Sequence, residues 1–262
     1  MAVVMSTKSP RILFYDCETT PLQARIWHLG EQVVRHTQLV PGFDSYRIIC
    51  ISYAWNDNKP AKTIDWGYQA QDSARVVAEF DKVAKHAEVI IGKNSDRFDV
   101  KHVNTQRLLH GLPPFPDWMN YTDDVEKQLR KYFVFPSFSL DYVSKEFGLG
   151  GKIKMAFQDW VDIVQKSNRA SFAKMLKYNR KDVEDTRALW NKLKPYIKPK
   201  ANVASLYAMA ENPSTCPACK SSTLTKRGYT YSTSQRRQRF QCSVCRTFSC
   251  GQAESIVIAS SK

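Results

Sequence analysis

The sequence predicts an α/β layer fold followed by a small, separate C-terminal domain. Two observations carry this. Strand-like apolar runs open the 262-residue chain and then alternate with segments of helical periodicity, the pattern of helices packed on a sheet. Five of the seven cysteines then crowd between Cys216 and Cys250, near the end of the chain. Hydrophobic residues make up 43%, enough for a sizeable core in the first part.

The elements follow in order. Residues 11–16 read as a buried strand, and "RIICISYAW" (47–55) is a β-branched and aromatic one. "AKTIDWG" (61–67) is a weaker strand. From Gln71 to His86 the residues Val76, Val77, Phe80, Val83 and Ala84 recur at helical spacing, with Asp72 placed to cap. "EVIIG" (88–92) is a short apolar run of the buried parallel-strand kind, and "DVKHVNTQRLLHGL" is a helix stopped by Gly111. Helices are predicted near 122–133 and at 138–147, then a break at "GLGGK" (148–152), then helices at 157–166 and 170–194. Residues 194–212 hold Pro195, Pro199 and a short helix candidate, "VASLYAMA", and read as the joint between domains. The resulting division is a first domain over 1–195, a linker over 196–212 and a small domain over 213–262.

The longest apolar runs are far shorter than the ~20 residues of a membrane span. "MAVVMSTKSP" lacks the charged start and long apolar stretch of a signal peptide. The expected location is the cytoplasm, with no membrane partner. The net charge is +14, and it is unevenly spread. From Tyr196 onward ten Lys or Arg face only Glu211 and Glu254, which points to a polyanion partner, nucleic acid before others. The alternative is a solubilising charged tail.

The stretch "ILFYDCETT" (12–20) ends a buried strand on two acids. Strand side chains alternate, so Asp16 and Glu18 project from one face, where two carboxylates repel unless a cation lies between them. A strand simply running out into water is the plain alternative. Asp99 follows the 88–92 strand in "GKNSDRFD", and Asp182 sits on the long helix four residues after Tyr178, on the same helical face. Four carboxylates at one end of a sheet suit hard divalent ions such as Mg²⁺. Two such ions about 4 Å apart activate water and stabilise the leaving oxygen in phosphodiester hydrolysis.

The order D-x-E (Asp16, Glu18), N-x-x-x-F-D (Asn94, Phe98, Asp99) and Y-x-x-x-D (Tyr178, Asp182) resembles the DEDD superfamily of 3′→5′ exonucleases. Tyr178 places the resemblance in the DEDDy branch, with the proofreading domains of family A and B DNA polymerases. The segment "FSLDYVSKEFGLGGK" (138–152) is similar to what these nucleases carry before their third motif. The resemblance covers roughly residues 10–195. It implies a ribonuclease-H-like mixed central sheet flanked by helices, and two Mg²⁺ or Mn²⁺ ions. Asp16 would bridge both. Glu18 and Asp182 would hold the ion carrying the attacking water, Asp99 the other. Tyr178 would orient that water. Phe98 fits the motif or the core equally well. Asp185 is read as a solvated helix acid outside the set, and Asp141 is ambiguous between ligand and solvated acid.

Cys216-x-x-Cys219 and Cys242-x-x-Cys245 form two knuckles close to a four-cysteine zinc pattern. They predict a zinc ribbon holding one structural Zn²⁺, with strands at 223–231, 236–241 and 246–250. About 50 residues bury little core, so the metal would supply the folding energy. Cys250 is the odd cysteine, and Cys17 and Cys50 read as small buried side chains. Between the knuckles lie Lys226, Arg227, Arg236, Arg237 and Arg239, with Tyr229, Tyr231 and Phe240 among them. Cations meet phosphates and aromatic rings stack on unpaired bases, although such charges also occur merely as a solvated face.

The expectation is a metal-dependent 3′→5′ exonuclease with a nucleic-acid-binding zinc ribbon, DNA favoured over RNA, and a replication or repair protein as a candidate partner. Its rivals are a structure-selective endonuclease of the same fold and a zinc-ribbon adaptor carrying an inactive nuclease fold.

Overall fold

A computed structural model of the chain describes residues 11–113, 122–149, 153–198, 215–216, 219, 221–231 and 235–255. The chain divides into two compact units, one spanning Ile12–Leu189 and one holding the residues from Trp190 onward. The linker expected over 196–212, with its helix candidate, lies almost wholly outside the described residues.

The first unit is built on a five-stranded mixed sheet in the order β3-β2-β1-β4-β5. Its strands are β1 (Ile12–Thr19), β2 (Ile48–Trp55), β3 (Lys62–Asp65), β4 (Val89–Gly92) and β5 (Thr122–Asp124). β1 pairs antiparallel with β2, and β2 with β3; β1 pairs parallel with β4, and β4 with β5. The helices are α1 (Ser73–Ala84), α2 (Asp99–Leu109), α3 (Val125–Tyr132), α4 (Leu140–Glu146), α5 (Phe157–Lys166) and α6 (Arg169–Leu193). The two parallel pairings require crossovers, and α1 and α2 lie in the connections that lead to β4 and β5.

Strand alternation assigns the two faces of β1. Leu13, Tyr15 and Cys17 turn into the core, where the Tyr15 ring stacks on Phe80 of α1 with centroids 5.4 Å apart. The face bearing Asp16 and Glu18 meets α6: Asn179 reaches both Asp16 and Cys50, and Cys50 stands opposite Glu18 in the β1–β2 register. Helix α1 forms as its pattern predicts. Asp72 accepts from the Arg75 N–H at 2.9 Å, and Val76, Val77, Phe80 and Ala84 are buried. Each large apolar side chain so buried contributes about 1.5–3 kcal/mol.

One expected element differs. The sequence reads 122–133 as a single helix, but Thr122–Asp124 extend as β5 before α3 begins. Buried acids make this possible because their oxygens are satisfied locally. Asp123 accepts from the Asp124 N–H and the Gln128 amide, and Asp124 caps α3 by accepting from the Glu126 N–H. Hydrophobic periodicity carries no sign of such a strand.

The second unit contains an antiparallel sheet of β6 (Leu224–Tyr231), β7 (Gln235–Cys242) and β8 (Phe248–Ser255), in that order. The third strand runs five residues beyond the expected 246–250. β6 carries an extra residue between Lys226 and Tyr229, at Gly228, whose φ of +73° lies where glycine is favoured. Among the described residues no helix is long and apolar enough to cross a membrane.

Candidate active site and cysteine cluster

β1 outruns β4. Their pairing stops at Phe14 and Ile91, and β1 continues to Thr19. Among the described residues, the edge of β1 beyond that point has no strand beside it. Asp99 fills part of the gap: its Oδ1 accepts from the Cys17 N–H at 2.8 Å, and the residue is 2% exposed. Asp99 is thereby fixed between Asp16 and Glu18 along the chain direction of β1.

The turn that delivers Asp99 is tightly built. A Cβ on Gly92 would lie 2.4 Å from Ser95 Cβ and 3.3 Å from the Tyr15 carbonyl, so only glycine fits there. Asn94 is left-handed at φ 59°, a conformation that asparagine tolerates. The Asp124 carboxylate accepts from the N–H groups of Asn94 at 2.8 Å and Asp96 at 3.2 Å. One buried acid thus caps α3 and holds the turn preceding Asp99.

Helix α6 supplies the rest. Tyr178 and Asp182 are one turn apart, and their side chains are hydrogen-bonded to each other. Asn179 is fully buried, and its amide donates to Asp16 Oδ2 at 2.6 Å while its carbonyl lies 3.5 Å from Cys50 Sγ.

The charges feel one another. Burial raises the Asp16 pKa well above the ordinary carboxylate range, and the charges of Asp99, Glu18 and Asp182 raise it further, against a lowering by Lys93. Asp99 is raised to about 6, by burial first and also by Asp124, against the Cys17 hydrogen bonds that lower it. Burial, followed by the charges of Asp182 and Glu18, pushes the Tyr178 hydroxyl strongly up, so it remains a donor at neutral pH. Lys93 is itself paired with Glu126 at 2.6 Å. All five residues singled out in the sequence therefore share one electrostatic environment. An all-oxygen donor set of this kind suits Mg²⁺ or Mn²⁺.

Other acids sit elsewhere. Asp185 is not a solvated helix acid but is buried and paired with Lys181, and Asp141 pairs with Lys145 at 3.2 Å. Phe98 is 39% exposed and does not belong to the core. The sequence does not single out Asn179, Asp124 or Lys93. Asn179 follows Tyr178 directly, but its bond to Asp16 depends on packing 163 residues away.

In the second unit the Sγ atoms of Cys216, Cys219, Cys242 and Cys245 lie within 4.8 Å of one another. Among the described residues no group of carboxylates is gathered so tightly. The two knuckles are built alike: Cys216 N–H donates to the Ser221 carbonyl and Cys242 N–H to the Thr247 carbonyl. Cys216 and Cys245 are 3.5 Å apart at sulfur, as are Cys219 and Cys242. A tetrahedron of Zn–S bonds has sulfur–sulfur edges of about 3.8 Å, so the quartet fits zinc. Burial pushes the Cys242 thiol up, but hydrogen bonds from the Cys245 and Val244 N–H groups and from its neighbouring thiols outweigh it, and its pKa falls to about 6. A thiolate at neutral pH is what a metal ligand requires. Cys250, on β8, lies outside the quartet.

The five cations of this unit do not share a face. Alternation along β7 puts Arg236 with Gln238 and Phe240, and Arg237 with Arg239 and Gln241. Lys226 stands opposite Phe240, and Arg236 lies over the Tyr229 ring, so these belong to the first face. Arg227 donates to Gln241, and Arg239 lies over Phe248, which stands opposite Gln241, so these belong to the second.

Comparison with known proteins agrees with this architecture. A solved structure of the family B DNA polymerase from the hyperthermophilic archaeon Pyrobaculum calidifontis is similar in fold, with a TM-score of 0.53 and 16% identity over 72% of this chain. The matched region is 25% of the polymerase chain, so this chain spans a small part of that protein's length. No curated protein matches the sequence. The family model of the RNase_H superfamily matches residues 36–194, which include Asp99, Tyr178 and Asp182 and begin after Asp16 and Glu18. That match covers more than half of the chain, and with the mixed sheet and its flanking helices it identifies the protein as a member of the RNase_H superfamily.

Proposed function

We propose that the protein is a metal-dependent 3′→5′ exonuclease of the DEDDy kind that hydrolyses nucleic acid, DNA in preference to RNA. The observation that carries this reading is the meeting of Asp16, Glu18, Asp99 and Asp182, from a strand and two helices, beside Tyr178. Asp16, buried and pushed up by the charges of Asp99, Glu18 and Asp182, makes a costly arrangement without cations and a suitable one with them. Two Mg²⁺ or Mn²⁺ ions at these carboxylates would activate water and stabilise the departing oxygen. The chain's own residues do the placing. Asn179 fixes one oxygen of Asp16, and the Cys17 N–H fixes one of Asp99. Tyr178, hydrogen-bonded to Asp182 and with a hydroxyl that stays protonated, would orient the attacking water. The likeness in fold to a DNA polymerase supports DNA as substrate.

In this reading residues 1–195 are the nuclease domain, 196–212 the joint, and 213–262 a zinc ribbon. One Zn²⁺ on Cys216, Cys219, Cys242 and Cys245 would hold the two knuckles, and Lys226, Arg227, Arg236, Arg237 and Arg239 would meet phosphates. A replication or repair protein is the proposed protein partner.

The test is digestion of 5′-labelled single-stranded DNA, duplex DNA and RNA with Mg²⁺ or Mn²⁺. The expected result is progressive shortening from the 3′ end with release of mononucleotides. Circular strands and 3′-blocked strands should resist. Cutting of circles would assign the site to an endonuclease, and no metal-dependent cutting at all would leave a binding protein.

A further inference from the structure

The connection between β1 and β2, residues 20–47, leaves and rejoins the sheet at the end that carries the acids. It starts two residues after Glu18 and returns at Ile48, which stands opposite Thr19. Its root is firmly fastened. Thr20 N–H donates to the Arg47 carbonyl at 2.9 Å, and Arg47 N–H to Thr20 Oγ1 at 3.0 Å. Buried Gln106 of α2 donates to the Tyr46 carbonyl at 2.7 Å and accepts from Ser73, which itself accepts from the Ile48 N–H. Further out, Gln23–Arg25 and Gln38–Val40 run side by side, bonded at Val40 to Gln23, at Arg25 to Gln38 and by a bridge between Ala24 and Leu39. The segment is an organised arm rather than a loose connection.

What the arm displays is unusual for a surface. Trp27 is 96% exposed, and Ile26, Leu29, Val33 and Val34 around it are exposed as well. Five exposed large apolar side chains within nine residues are the kind of feature a binding surface displays. They are interleaved with exposed Arg25, His28, Arg35 and His36, against Glu31 alone between residues 25 and 36. At the root Tyr46 is 46% exposed although its backbone is locked by a buried amide. Its ring meets His102 edge-on at 5.0 Å, and His102 meets Phe98 at 4.4 Å. Phe98 immediately precedes Asp99. Aromatic rings thus run from the residue beside the acids to the base of the arm.

We propose that this arm is a platform for the unpaired bases of single-stranded nucleic acid, with Tyr46 as the stacking ring at its root and Trp27 as the one at the tip. This inference rests on the nuclease reading of the site. Bases supply flat apolar faces for the rings, and the phosphates between them supply charge for Arg25 and Arg35. A wholly apolar protein groove would satisfy the first need and leave the cations desolvated. Seven residues of extended chain from Thr20 to Trp27 reach at most about 25 Å, a span of several nucleotides from the acid end.

The test uses the full chain with Asp16→Ala to prevent cleavage, and equilibrium binding to a labelled single-stranded deoxyoligonucleotide. Tyr46→Ala and Trp27→Ala should each weaken binding by about 5- to 100-fold. Tyr46→Phe and Trp27→Phe should restore most of it. The salt dependence of binding should keep its slope, because no charge is removed. A strand carrying abasic sites should bind the parent and the alanine variants alike. Alanine variants that bind as the parent does would overturn the platform, and so would a loss that persists with the abasic strand. Self-association of the nucleic-acid-free protein that Trp27→Ala abolishes would also overturn it, by making a second copy the occupant of the tip. The nuclease reading fails separately, through absent cleavage by the protein with Asp16 intact.

Discussion

The Asn179 amide donates to Asp16 Oδ2 at 2.6 Å from a fully buried position on α6. Its other end lies against Cys50 Sγ, so the amide is held between two strands and cannot turn away. A carboxylate fixed at one oxygen presents the other in a single direction. Asn179→Leu should therefore reduce turnover by about 10- to 100-fold, in the range found for groups that orient metal ligands. A stability loss of about 1–3 kcal/mol should accompany it, because Asp16 loses a buried hydrogen bond. Steady-state kinetics beside thermal melting check this. Parental turnover in a folded Asn179→Leu protein would remove Asn179 from the site.

Asp124 makes a second long-range link. It receives the N–H groups of Asn94, Asp96 and Glu126. Asp124→Ala leaves three donors without this acceptor and should cost roughly 2–4 kcal/mol. Because the turn leads directly to Asp99, activity should fall even at temperatures where the variant is fully folded. Asp124→Asn keeps one acceptor oxygen and should recover part of both. Equal activity in the alanine and parent proteins would show that Asp99 is placed without the turn.

These two links also mark where sequence stops being informative. β1, β2 and α1 are legible because their apolar residues repeat at the period of the element and Asp72 stands at a capping position. The positions of Asp16, Glu18, Asp99, Tyr178 and Asp182, on a strand end or a helix, are legible from their spacing. Asn179 and Asp124 act through partners distant in sequence, and nothing local distinguishes them from other polar residues. β5 is hidden for the same reason: its acids are satisfied by α3 and by the turn before α2. The two faces of the cysteine-bearing sheet become distinct only with the register and the Gly228 bulge.

The pKa of Asp99, about 6 against an ordinary 3.8, gives a pH dependence with a definite sign. The folded state holds this proton at a pH where the unfolded chain has released it. The contribution to metal-free stability is thus fully present below about pH 4 and is lost as pH rises through 6. A gap of this size corresponds to a loss on the order of 2–3 kcal/mol. Metal-free melting temperature should decline between about pH 4 and 7, and Asp99→Asn, which keeps an acceptor for the Cys17 N–H, should flatten that decline. Mg²⁺ should raise the melting temperature more at about pH 8 than at about pH 5, since it binds the ionised form. Superimposable profiles for parent and Asp99→Asn would contradict the assignment.

The last prediction separates the two faces of the C-terminal sheet. Arg236 is paired with Glu254 at 2.7 Å and lies over Tyr229, so its charge is partly answered within the protein. Arg227, Arg237 and Arg239 stand on the opposite face, where Arg227 donates to Gln241 and Arg239 lies over Phe248. If the sheet meets nucleic acid, that second face should do so. Removing one cation that neutralises a phosphate lowers the log–log salt slope by about 0.7–0.9. The triple change Arg227→Gln, Arg237→Gln and Arg239→Gln should therefore flatten the slope by about two units, while Lys226→Gln with Arg236→Gln should change it little. The zinc content should stay at one ion per chain in both, which separates missing charges from a disrupted fold. Binding to a long single strand across a salt series, in an Asp16→Ala background, gives the slopes. A larger change from the Lys226 and Arg236 pair would reverse the assigned face, and no change from either set would turn the sheet toward a protein partner.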